Sequence, residues 1–160
     1  MIVSLTSADY DECLSVVRLG FASVADEFGI TAENAPTNAA FWSDGAVAAV
    51  VARGFQVFGD RDAGILRGCA FVGPTGNPRT WSLRHLAVLP TWRHRGIGSG
   101  LVAEAAVRAA AGGAELLTLG IVSENLRLAS WYRDLGFVTV EARQRFPGLP
   151  FAVDQLALAL

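Results

Sequence analysis

Apolar and polar positions alternate along the chain in blocks that set out its elements. Residues 2–5, Ile-Val-Ser-Leu, read as a short strand. Thr6 with Asp9 three residues on resembles a capping box, and Tyr10, Cys13, Leu14, Val17 and Phe21 then repeat at helical spacing. A second short helix is expected over residues 22–28, and residues 31–38, with Thr, Asn and Pro, read as a loop. Ser43 is placed to cap a helix over residues 46–53. Two apolar runs follow, residues 55–58 and 65–72, with Gly59-Asp60-Arg61-Asp62 between them as the expected hairpin turn. Residues 81–88 form a strand ending before Pro90. Ile97, Leu101, Val102, Ala105 and Ala109 trace an amphipathic helix that Gly112-Gly113 stops. Residues 116–121 read as a strand, 126–135 as a helix closed by Gly136, and 137–140 and 151–160 as strands. Hairpins mixed with strand–helix–strand units predict a mixed α/β sheet with helices on both faces.

The 160 residues suit one domain over residues 1–160, and 52% hydrophobic against 18% charged residues excludes a disordered chain. No apolar run reaches the roughly 18 residues that span a bilayer, and the N-terminus lacks a basic region before a long apolar core. A cytoplasmic protein without membrane partners is the expectation. A formal charge of −2, from 13 basic and 15 acidic residues, argues against nucleic acid as a partner. Every basic residue is Arg. Cys13 and Cys69 each sit in an apolar pattern and read as buried free thiols; with only two His, no metal-site spacing is present.

Candidate chemistry concentrates in two segments. In the first, Leu86-Ala87-Val88-Leu89-Pro90-Thr91-Trp92-Arg93-His94-Arg95-Gly96-Ile97-Gly98-Ser99-Gly100, a strand ends, a basic loop follows, and a helix starts among glycines. Unpaired amides at a helix N-terminus carry partial positive charge, and glycines let a diphosphate approach the backbone. An ordinary strand–turn–helix with solvated arginines fits the same residues. A dinucleotide fingerprint fails at Leu101, and a P-loop fails for want of any Lys. In the second segment, residues 125–137, Asn125 and Tyr132 lie seven residues apart and so on nearly one helix face. A capping Asn and a core Tyr would account for both.

Together the two segments resemble the GNAT superfamily of N-acetyltransferases. Arg93-x-x-Gly96-x-Gly98 matches its R/Q-x-x-G-x-G/A signature, and Asn125, Ala129, Tyr132 and Gly136-Phe137 follow its second pattern. The resemblance implies a mostly antiparallel sheet of about seven strands, splayed at a cleft for acetyl-CoA, the acyl donor, with no metal. It implies that Leu86, Ala87 and Val88 pair with the pantetheine arm, that Arg93 and the run His94, Arg95, Gly96, Ile97, Gly98 and Ser99 surround the diphosphate, and that Asn125 contacts the donor. It further implies direct attack of an amine on the thioester, with a backbone N–H near Val88 stabilising the oxyanion and Tyr132 as general acid toward the thiolate. Many such enzymes place a Glu base on the strand before the signature. Here that stretch reads Trp81-Ser82-Leu83-Arg84-His85, which leaves His85 and Glu124 as candidate bases. The resemblance implies a small-molecule or peptide amine as the acceptor and leaves a homodimer open by analogy. Longer acyl donors, and an acyl-CoA-binding regulatory or partner protein with little transferase activity, are the alternatives.

Residues 27–37 and the tail Phe146-Pro147-Gly148-Leu149-Pro150-Phe151 also resemble one poorly characterised branch of the superfamily, marked by an FPxLPF tail. That branch carries His where this chain has Asn38 and Gly148, which implies a changed acceptor or a lost polar site. Phe28, Phe41, Trp42, Phe146 and Phe151 are candidates to line an apolar acceptor pocket, or are plain core.

Overall fold

A computed structural model describes residues 1–160. The elements run β1 (Ile2–Ser4), α1 (Tyr10–Phe28), α2 (Ala46–Ala52), β2 (Gln56–Asp62), β3 (Ile65–Pro74), β4 (Thr80–Val88), α3 (Ile97–Ala111), β5 (Leu116–Val122), α4 (Leu126–Asp134), β6 (Val138–Gln144) and β7 (Val153–Ala159). Seven strands form one sheet in the order β1-β2-β3-β4-β5-β7-β6. All neighbours are antiparallel except β4 and β5. This is the mixed α/β architecture the sequence pattern predicts. No helix is long and apolar enough to cross a membrane.

Two cores flank the sheet. α1 and α2 bury Cys13, Val17, Val47 and Val50 against Phe71 and Cys69 on one face. α3 and α4 bury Leu101, Val102, Ala105 and Tyr132 against Leu83, Leu117 and Leu119 on the other. Both cysteines are free and buried, as their apolar setting predicts.

Three local expectations are corrected. The helix expected to break near residue 21 is continuous over Tyr10–Phe28 and ends at Gly29, whose φ of 65° is left-handed. Gly20 allows a close approach: a Cβ on it would stand 2.8 Å from Ala87 Cβ, so α1 lies directly on β4. Ser43 does not cap α2 with its side chain; the N-cap is Gly45, at φ 84°. The hairpin turns at Ala63 and Gly64 (φ 47° and 81°), not at residues 59–62, which stay in β2. Asp60 remains in the strand because its carboxylate meets the N-terminal ammonium at 3.1 Å and Arg67 at 2.6 Å. Turn-forming residue types were therefore a misleading guide where a buried ion pair satisfied them.

Candidate active site

The sheet opens at its one parallel junction. β4 and β5 pair only at Thr80↔Leu116, Trp81↔Leu117 and Ser82↔Thr118, and beyond Ser82 the two strands diverge. The gap is a cleft of about 890 Å³, floored by β4 and β5 and walled by α1, α3 and α4.

At one end of β4 stands the N-terminus of α3. A short 3-10 turn, Pro90–Trp92, leads into it, His94 and Gly96 adopt left-handed φ of 60° and 80°, and Gly96 is the N-cap. The backbone amides of His94, Arg95, Gly96, Ile97, Gly98 and Ser99 have no acceptor in the protein; the Ser99 hydroxyl donates to the Gly96 carbonyl at 2.9 Å. Six consecutive free amides at a helix start form a concave cradle for an anion. Gly98 faces the indole of Trp131, where a Cβ would come within 3.3 Å, so the cradle wall is already filled.

The arginines of this loop differ from one another. Arg93 donates from Nε to the Val88 carbonyl (3.2 Å) and from a terminal nitrogen to the Gly20 carbonyl (3.0 Å) and Ser23 Oγ (2.9 Å). It lines the cleft, yet its donors are committed to fastening α1, β4 and the loop to one another. Arg95 lies over the Trp92 ring, 5.1 Å from the centroid, and is not among the cleft-lining residues; His94 is.

Along β4, the Leu89 amide donates to the Arg67 carbonyl, so Ala87 and Cys69 form a hydrogen-bonded pair while the peptide groups of Val88 turn away from β3. The Val88 carbonyl takes Arg93, and its N–H faces the open side of the strand. Leu86, Ala87 and Val88 all line the cleft. On α4, Asn125 Oδ1 caps the helix by accepting from the Leu128 amide at 3.2 Å, while its Nδ2 has no protein partner. The Tyr132 ring is 5% exposed, packed edge-on against Trp131 and Phe137. Its hydroxyl makes no hydrogen bond within the protein, yet no fully enclosed side-chain polar atom lacks a partner, so the oxygen reaches the cleft that Tyr132 lines. Burial raises the phenol above its ordinary range.

The two candidate bases are placed apart. His85 lines the cleft within an aromatic cage of Phe21, Trp42 and Phe71, with the Trp42 ring 4.3 Å away. Burial, helped by Arg84 and Arg53, lowers it to about 4, so the imidazole is neutral at pH 7. Glu124 is not among the cleft-lining residues and faces Arg143 at 3.8 Å. Of the aromatics expected around an acceptor, only Phe151 lines the cleft; Phe28 and Phe41 pack with Ile30 and Ala35 beneath it. Asn38 also lines the cleft, while Gly148 does not. The sequence reading missed Phe21, Glu27, Arg84, Arg127 and Gln155, all of which line the cleft. No local motif marks them, because they lie on α1, β4, α4 and β7 and come together only in the fold.

Comparison with known proteins agrees with this geometry. The family model of the acetyltransferase (GNAT) domain matches residues 51–139. No curated protein sequence matches the chain. The ribosomal-protein-S18-alanine N-acetyltransferase of Escherichia coli superposes with a TM-score of 0.76 at 17% identity, covering 99% of this chain and 92% of that one. The PaiA N-acetyltransferase of Thermoplasma acidophilum, in complex with coenzyme A, gives 0.78 at 17% identity, covering 100% and 98%. A GNAT family acetyltransferase of Elizabethkingia anophelis with acetyl-CoA bound gives 0.69 at 15%, covering 100% and 97%. At these identities the likeness is one of fold.

Proposed function

Because the chain belongs to the GNAT acetyltransferase family, we propose that it moves the acetyl group of acetyl-CoA to a primary amine of a small molecule or peptide by direct attack in a ternary complex. The observation that carries this reading is the run of six free amides over residues 94–99, at the mouth of a cleft into which the Tyr132 hydroxyl also opens. The residues suit acetyl-CoA. The cradle at α3 takes a diphosphate through backbone dipoles, and the unpaired edge of β4 at Val88 offers peptide groups to the amide-bearing arm.

In this reading the Val88 N–H, fixed by the β3 register, donates to the oxyanion that forms as the amine attacks. Tyr132 then gives its proton to the departing thiolate as the C–S bond breaks, and the phenolate regains a proton, through water, from the newly acetylated nitrogen, which must shed the second proton it carries after attack. A thiol has a pKa of about 8.5 and a free phenol about 10, so this transfer is already uphill, and burial makes it more so. The hydroxyl is therefore useful as an acid only when it is hydrogen-bonded to sulfur as charge develops there. His85, at about 4, is a weak base for an ammonium group near 10. The only carboxylate lining the cleft, Glu27, is held by Arg127. The amine accordingly loses its proton to water and attacks in its neutral form.

Calorimetry with coenzyme A, followed by thiol release from acetyl-CoA across a panel of amines, tests the proposal. Coenzyme A should bind, and thiol release should require an amine. Absence of coenzyme A binding would end the proposal, and binding without release by any amine would leave an acyl-CoA-binding protein instead.

A further inference from the structure

β4 carries one more residue than β3 between the pairs Phe71↔Arg84 and Cys69↔Ala87, and His85 absorbs the difference at a φ of 52°. Regular alternation would send Arg84 and His85 to opposite faces. The bulge instead turns both toward α1 and α2: His85 meets Phe21 and Trp42, and the Arg84 guanidinium lies 5.3 Å from the Phe55 ring centroid.

Arg84 lines the cleft and has no carboxylate partner; its one hydrogen bond is to Ser82 Oγ, at 3.4 Å. Arg53, also without a carboxylate, is close enough to oppose its charge. The other cleft-lining guanidiniums are occupied. Arg93 is bonded to two carbonyls and a hydroxyl, and Arg127 holds both oxygens of Glu27 at 2.7 and 2.8 Å. The amide cradle over residues 94–99 follows the C-terminal end of β4, whereas Arg84 lies in mid-strand. Phe21, Val24, Ile30 and Phe151 add apolar surface to the cleft lining. Arg84 is exposed to solvent, and its guanidinium, with no counter-ion, matches a carboxylate in shape and charge.

We infer that the acceptor amine also carries a carboxylate, which Arg84 holds, and that the substrate class is small amino acids or amino carboxylates with an apolar body. The inference rests on the transferase reading and narrows it. Polyamines and aminoglycosides, cationic throughout, are disfavoured by the same uncompensated arginines.

The test uses matched pairs differing in one carboxylate: phenylalanine and phenethylamine, tyrosine and tyramine, 5-aminopentanoate and pentylamine. Thiol release gives kcat/KM, and calorimetry on the coenzyme A-loaded protein gives binding without turnover. At least one carboxylate-bearing member should exceed its partner tenfold or more in both. Arg84→Gln should remove that gap while leaving coenzyme A affinity and thermal midpoint unchanged, and Arg84→Lys should retain part of it. Amines acetylated equally well with and without a carboxylate, or a gap that survives Arg84→Gln, would overturn the inference and leave the transferase reading standing. Carboxylate binding that Arg84→Gln abolishes, with no amine acetylated, would support the anion site and defeat the transferase reading. Absence of both binding and turnover would overturn both.

Discussion

Replacing Tyr132 by Phe removes a single oxygen and leaves the packing in place. The ring centroid lies 4.8 Å from that of Trp131 and 5.3 Å from that of Phe137, contacts that Phe retains. The lost hydroxyl has no protein partner, so no donor or acceptor is orphaned, and stability should change by less than about 1 kcal/mol. General-acid assistance is worth about 10²–10⁴ in rate, or about 3–5 kcal/mol of barrier. Tyr132→Phe should therefore lower kcat by at least about 100-fold, with coenzyme A affinity and thermal midpoint close to the parent's. Continuous thiol detection at saturating acetyl-CoA and amine measures the first, calorimetry the second and thermal unfolding the third. Because burial raises the phenol, it stays protonated from pH 6 to 9, and any basic limb in the parent's pH profile must belong to another group. A kcat within about threefold of the parent, at unchanged coenzyme A affinity, would remove Tyr132 from the chemistry. A variant that failed to bind coenzyme A would instead show that the hydroxyl holds the donor.

Two further perturbations probe the cleft walls. His85 sits at about 4 in the fold against about 6.5 unfolded, so the unfolded chain binds the extra proton between those values. The stability linked to this group is complete above about pH 6.5 and falls by about 3 kcal/mol as the pH drops to about 4. His85→Asn, which tolerates the left-handed backbone, should flatten that part of the urea-midpoint profile between pH 4.5 and 7; an undiminished slope would show that other groups carry it. Gly20→Ala would put a Cβ 2.8 Å from Ala87 Cβ and 3.3 Å from its Cα, neither of which can rotate away. It should cost about 1–3 kcal/mol and lower the thermal midpoint by about 2–4 °C for each kcal/mol. An unchanged midpoint would mean that α1 yields without cost.

The elements that were legible in the sequence are those whose periodicity is local. α3 follows from Ile97, Leu101, Val102, Ala105 and Ala109 and its stop at Gly112, and the free helix start follows from the glycines around Ile97. What escaped depends on contacts distant in the chain. The role of Gly20 shows only once Ala87 is against it, and Gly59 with Asp60 reads as a turn until the N-terminus and Arg67 arrive. The signature arginine at 93 suggested a phosphate ligand, but its donors reach Gly20 and Ser23, some seventy residues away. The bulge at His85 has no sequence mark at all, since it expresses a one-residue mismatch between two strands. Glu124 stood next to the Asn125 cap in sequence, yet it faces Arg143 outside the cleft.

The parting of β4 and β5 after three registered pairs has a consequence for how the molecule keeps to itself. A strand border with idle peptide groups on the outside of a protein invites another chain to zip onto it. Here such a border lies inside, in a slot flanked by α1 and α4. Seclusion keeps from other chains a feature that would promote aggregation at the rim.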